Sequence, residues 1–178
     1  MLSESPHAVS PRSLHSLDSL AARSGADLEA LYRTAASPST MRATDGALSG
    51  RMLAVRGLPA PIAAPLRRWA ASPSFLWEGK TFRASSDTHG TGFNRVYVPG
   101  ALGRQGLFPF ETRFGPSSID ELPALILDYE LDVNPAYVRR IHDELREVSP
   151  GLFLGPAMWK TATSKALLLW FALDARLS

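Results

Sequence analysis

KALLLWFALD (Lys165–Asp174) is a strand without a polar face: Ala166, Leu168, Trp170 and Ala172 alternate with Leu167, Leu169, Phe171 and Leu173. Such a strand must be covered on both sides, so it belongs at the centre of the packing. Working back from it, GLFLGPAMW (Gly151–Trp159) reads as a second strand and PALILDYELDV (Pro123–Val133) as a third. Between them Asn134-Pro135 opens AYVRRIHDELREV, and Ser149-Pro150-Gly151 stops it. Val138, Ile141, Leu145 and Val148 form one apolar stripe at helical spacing, which predicts a helix packed on a sheet before the last two strands. Arg139 with Asp143, and Arg140 with Glu144, are then spaced for surface pairing.

Upstream, strands follow closely. ALSGRMLAV (Ala47–Val55), FLWEGKTFRASS (Phe75–Ser86), FNRVYV (Phe93–Val98) and LFPFETRF (Leu107–Phe114) are separated by DTHGTG and PGALGRQG, which are turns by composition. About seven strands without helical crossovers argue for an antiparallel sheet closed as a barrel or folded as a sandwich. RGLPAPIAAPLRRWAASPS is Pro-rich. It reads as an irregular connection with one short helix, LRRWAAS, after Pro65. At the front, Leu17–Ala36 carries two short apolar faces broken at Ser24-Gly25, so two helices are expected there as cover for the sheet. Residues 1–15, rich in Ser and Pro, read as a mobile tail before a single domain over 16–178.

Composition narrows the function classes. The chain has 178 residues, enough to bury a core without staples, and no cysteine, which excludes disulfides and thiolate chemistry. Net charge is +2 despite a pI near 9.2. The basic residues, nearly all arginine, are scattered rather than striped, so no nucleic-acid partner is expected. No apolar run approaches the ~20 residues of a membrane helix. The first residues lack the basic start and apolar core of a secretory signal, so a cytoplasmic chain without a membrane partner is expected. Phosphate-binding glycine loops, GxSxG elbows and HExxH helices are absent, and His89 and His142 lack ligand spacing. No cofactor and no metal are implied.

Chemistry is therefore sought inside the barrel, since about eight strands enclose a space for one small ligand when side chains leave it open. Trp77, Tyr97, Phe108, Phe110 and Tyr129 are candidate walls. Arg95 and Lys80 are candidate polar anchors, because a charge inside needs a partner or a ligand. Arg95 shares a face with Phe93 and Tyr97. If that face is inward, it is placed to meet a carboxylate or enolate; if outward, Val96 and Val98 fill the core. A buried Lys80 would have a lowered pKa and could serve as a base. In DYELD, Asp128, Glu130 and Asp132 are read as facing water, which puts Tyr129 inside.

WEGKTF (Trp77–Phe82), following Leu48-Ser49-Gly50-Arg51-Met52 and the N-terminal helices, resembles small bacterial lipocalin-like proteins with a GxWxG motif and a later W-x-GK-x-F motif. The resemblance covers residues 28 to 82. It implies a lipocalin-like barrel able to hold a small hydrophobic molecule, and no catalytic residues. Such barrels are also similar to certain natural-product cyclases and decarboxylases. The expectation is thus a mainly β (α+β) domain, an antiparallel lipocalin-like β-barrel with N-terminal helices and one helix before the last two strands. It would bind a small hydrophobic molecule or, alternatively, act as a cyclase, isomerase or decarboxylase of secondary metabolism. A third reading makes the last strand and N-terminal helices a homodimer face.

Overall fold

The computed structural model describes residues 15–55, 76–98, 100 and 102–177. Among them are helices α1 (Leu17–Ala21) and α2 (Gly25–Thr34), then strands β1 (Gly46–Val55), β2 (Leu76–Ala84), β3 (His89–Val98) and β4 (Gly103–Pro116). Strands β5 (Pro123–Asp128), β6 (Ile141–Ser149), β7 (Leu152–Lys160) and β8 (Lys165–Asp174) follow. Every strand pairs antiparallel with its neighbours in chain order, and β1 pairs with β8, so the eight close into a barrel. The mainly β barrel behind N-terminal helices is the fold the chain adopts. The expected tail, apart from His15, and the short helix after Pro65 lie outside the described residues.

Both faces of β8 are spent on packing. Phe171 and Leu173 point into the barrel with Leu48, Phe82, Phe110, Leu125, Leu145 and Phe153. Trp170 and Ala172 point outward, where Leu20, Leu28 and Tyr32 of the helices cover them together with Leu152 and Leu154. Ser16 and Ser24 start the two helices, their hydroxyls accepting from the Ser19 and Asp27 amides. No helix among the described residues is long and apolar enough to cross a membrane.

The segment expected as the inserted helix is different. One 3-10 turn, Val138–Arg140, follows Asn134-Pro135, and Ile141–Ser149 is then strand β6, hydrogen-bonded between β5 and β7. The helical stripe and a strand alternation share Ile141 and Leu145, and periodicity alone does not separate them. Tertiary pairing does, because without β6 the barrel stays open between β5 and β7. The expected surface pairs dissolve accordingly. Arg139 meets Asp132 at 3.4 Å, and Arg140 donates to the Lys160 carbonyl and lies over the Trp159 ring.

Two bulges aim side chains inward. In β2, Trp77 pairs with Val96 and Gly79 with Arg95, so Glu78 is an extra residue and both Trp77 and Lys80 face the interior. Gly79, at φ +132°, is required there: a Cβ would lie 2.0 Å from the Leu48 carbonyl oxygen. In β4 the register shifts opposite Phe93, and Phe108 at φ +53° turns into the barrel beside Phe110.

Candidate functional site

Lys80 is 3% exposed and sits in a cage of rings, its ammonium 5.2–5.6 Å from the ring centres of Phe171, Tyr129, Phe110 and Trp77. Its three protons have three acceptors: Asn94 Oδ1 at 2.8 Å, the Tyr129 hydroxyl oxygen at 2.5 Å and Asp143 Oδ2 at 3.0 Å. Tyr129 donates its own proton to Asp143 Oδ2 at 2.9 Å. Asn94 accepts a second bond from Trp77 Nε1 at 3.1 Å and donates from Nδ2 to the Phe108 carbonyl and the Tyr129 oxygen. The network spans β2, β3, β6 and the residue after β5, so it ties distant parts of the barrel together.

Burial lowers the Lys80 pKa from the ordinary lysine value, with the Asp143 carboxylate pulling the other way. Burial, and then the same carboxylate, raise the Tyr129 pKa well above that of a free phenol. Both shifts favour neutral side chains, and all but one of the polar atoms of the network are matched by another. The exception, Asp143 Oδ1, is buried and has no hydrogen-bond partner among the described residues.

Beside this network lies a cavity of about 130 Å³. Lys80, Asn94, Tyr129 and Asp143 form its polar floor, and Trp77, Phe108, Val138, Ile141, Ala157, Leu169 and Phe171 its apolar walls. Met52 and Tyr137 also line it while being 39% and 46% exposed, which places its mouth between them. Asn134 fixes the approach to that rim, its Nδ2 donating to the carbonyls of Pro109 at 2.7 Å and Tyr129 at 2.9 Å.

Of the residues singled out from the sequence, Trp77, Lys80, Phe108 and Tyr129 meet at this cavity, and Phe110 packs directly behind Tyr129, ring centres 5.3 Å apart. Arg95 and Tyr97 are not there. Because Lys80 pairs with Asn94, the alternation of β3 sends Gly92, Asn94 and Val96 inward and the Phe93–Tyr97 face outward. Arg95 lines an outer depression with Glu78 and Arg104 instead. Sequence reasoning missed Asn94 and Asp143. Asn94 carries a usable signal, a polar residue in phase with Val96; Asp143 would have needed the strand reading of β6, in phase with Ile141 and Leu145.

The outer face of β6 holds a second polar cluster. Glu144 is fully buried and accepts from the Tyr32 hydroxyl at 2.8 Å, the Ser117 hydroxyl at 2.5 Å and the Ser118 amide at 2.7 Å, with His142 Nε2 at 3.0 Å. Arg146 stacks on the Tyr32 ring and forms a bidentate pair with Asp120 at 2.6 and 2.8 Å. It also donates to the carbonyls of Pro123, Tyr32 and Leu122. These groups bind α2 and the β4–β5 connection to the barrel wall.

No protein-family model matches the chain, and no curated protein does. A crystal structure of a protein from Thermomonospora curvata aligns with a TM-score of 0.51 at 18% identity, over 85% of this chain and 87% of that one. A likeness at that identity concerns the fold alone.

Proposed function

We propose that this protein binds a small, largely apolar molecule inside the barrel, between the aromatic walls and the Lys80–Asp143 floor. The observation that carries this reading is the cavity itself: about 130 Å³, walled by apolar side chains and open at Met52 and Tyr137. A dry apolar cavity of ~150 Å³ accepts a benzene-sized molecule. The resemblance to lipocalin-like proteins gains support from the role of its motif. Trp77, Lys80 and Phe82 of WEGKTF all face inward, and Gly50 leaves room for the Trp77 ring, to which a Cβ there would come within 2.5 Å.

The test is a thermal-shift screen with benzene, toluene, indole and similar compounds, beside native mass spectrometry and solvent extraction of the purified protein. A ligand at a hundred times its Kd adds ~2.7 kcal/mol, about 5–10 °C for a domain of this size. Leu169→Trp, which fills the cavity from one wall, is expected to abolish the shift. The reading falls if no compound binds and nothing co-purifies, or if Leu169→Trp binds unchanged.

The alternative, an enzyme working in the same cavity, is favoured by one feature: a lysine, a tyrosine and an aspartate share protons at its floor. Such a preorganised set can move a proton to or from a bound substrate. Turnover lost in Lys80→Met with ligand binding retained would select it over storage.

A further inference from the structure

The outer wall of the barrel holds a depression whose chemistry is separate from the cavity. Its centre is Arg95, which pairs with Gly79 of β2 on one side and Gly106 of β4 on the other. Neither neighbour has a side chain, so the half-buried Arg95 lies low between Thr81, Glu78 and Arg104, with the Phe93 ring over Gly106. Its hydrogen bonding is incomplete. Nη2 donates to the Glu78 carbonyl over a long 3.4 Å, and Nε is buried without a partner. Nη1 makes no hydrogen bond either, but unlike Nε it is open to solvent. No carboxylate among the described residues pairs with this guanidinium. Glu78 does not, because both its oxygens accept from Arg104 Nε, at 3.0 and 3.1 Å. That pair is neutral, so the charge left over in the depression is the cation of Arg95.

We propose that this depression is a second binding site, for a small aryl carboxylate whose oxygens accept from Arg95 Nη1 and whose ring lies against Phe93. A partly desolvated cation with a long hydrogen bond and no counter-ion gains most from an anion. The free valences in reach are donors, on Arg95 Nη1 and the two terminal nitrogens of Arg104, while the acceptors of Glu78 are engaged. A ligand cation would meet Arg95 unscreened, and a neutral ligand would leave its charge unmatched. One negative charge balances the depression, and the Phe93 ring favours an apolar or aromatic body beside it. The site lies on the opposite face of β3 from Asn94, so it does not depend on the function proposed for the cavity.

The test is an NMR titration of the isotope-labelled full-length protein with benzoate and with benzamide, read at the Phe93 and Gly106 amides. The two compounds share a ring and a planar head, and benzoate alone carries the charge. Benzoate is expected to shift both signals saturably, and to bind ~10-fold or more tighter than benzamide, the gain of a charged hydrogen bond. Added salt is expected to weaken it. Arg95→Met is expected to reduce benzoate affinity ~10-fold or more, whereas Leu169→Trp, which fills the cavity, leaves it unchanged. The benzoate–benzamide contrast is read on the parent chain and needs no variant to fold. No saturable shift of Phe93 and Gly106 at millimolar benzoate overturns the inference, as does benzamide binding equally well. Benzoate binding undiminished in Arg95→Met overturns it too, and so does its loss in Leu169→Trp, which would place the ligand in the cavity instead.

Discussion

Lys80 is an internal cation held by a cage of rings and three acceptors, and removing it is not the mild change that a surface lysine would allow. Lys80→Met fills the same space but strands the Asp143 carboxylate in an apolar interior, which costs about 3–5 kcal/mol for a broken buried pair. Lys80→Met/Asp143→Leu removes both charges. It is expected to recover all but ~1–2 kcal/mol, the cost of the Tyr129 hydroxyl left without its acceptor. Urea denaturation of the two variants beside the parent measures this; a single variant as stable as the parent would show that the pair contributes nothing. Trp77, Lys80 and Tyr129 were legible as candidates because large aromatic and charged residues embedded in strands stand out. Which of them converge was not, because the Glu78 bulge breaks the alternation from which an inward face is inferred. Asp143 was hidden for another reason: its partner lies on a strand 63 positions earlier, outside any local pattern.

At the scale of the element, β6 shows how far local pattern reaches. A segment reading Val138, Ile141, Leu145, Val148 is a fair helix on paper, yet it carries Asp143, Glu144 and Arg146, all buried, each paired with a group of a different element. A helix would put those charges in water at no cost; the strand is stable only because the barrel supplies their partners. Glu144 reports on this directly. Burial raises its pKa, but bonds from His142, Ser117, the Ser118 amide and Tyr32 outweigh that and bring it from 4.5 to about 2. A carboxyl with a lowered folded pKa contributes stability above its unfolded value and loses it as pH falls through the folded one. The contribution is ~3 kcal/mol near neutrality and diminishes from about pH 4.5 downward, ~2 kcal/mol of it gone by about pH 3. Glu144→Gln is expected to be less stable at pH 7 and to lose ~2 kcal/mol less between pH 7 and 3, read from urea midpoints. An acid slope identical to that of the parent would show that Glu144 does not anchor the strand to α2.

For the whole molecule, the two apolar faces of β8 require cover on both sides, which was readable from KALLLWFALD alone, whereas its pairing with β1 to close the barrel was not. One face needs a barrel interior and the other an outer cover. The sequence also announced the cover, in the apolar positions of Leu20, Leu28 and Tyr32, but not which strands lay beneath it. That assignment bears on self-association. The outer face of β8, offered above together with the N-terminal helices as a homodimer face, is occupied by those helices within the same chain: the Trp170 and Tyr32 rings meet at a tilt with centres 5.4 Å apart, and Leu152, Leu154 and Ala172 are fully covered. A chain beginning at Ala35 lacks both helices and leaves Trp170, Leu152, Leu154 and Ala172 as one contiguous apolar patch on a closed barrel. Patches of this kind drive association. The truncated chain is expected to elute from size-exclusion chromatography as concentration-dependent oligomers, and to bind a dye specific for exposed apolar surface that the full chain does not bind. Retention of a single concentration-independent size after truncation would mean that the helices do not shield the wall, and that β7 and β8 are covered by residues outside α1 and α2.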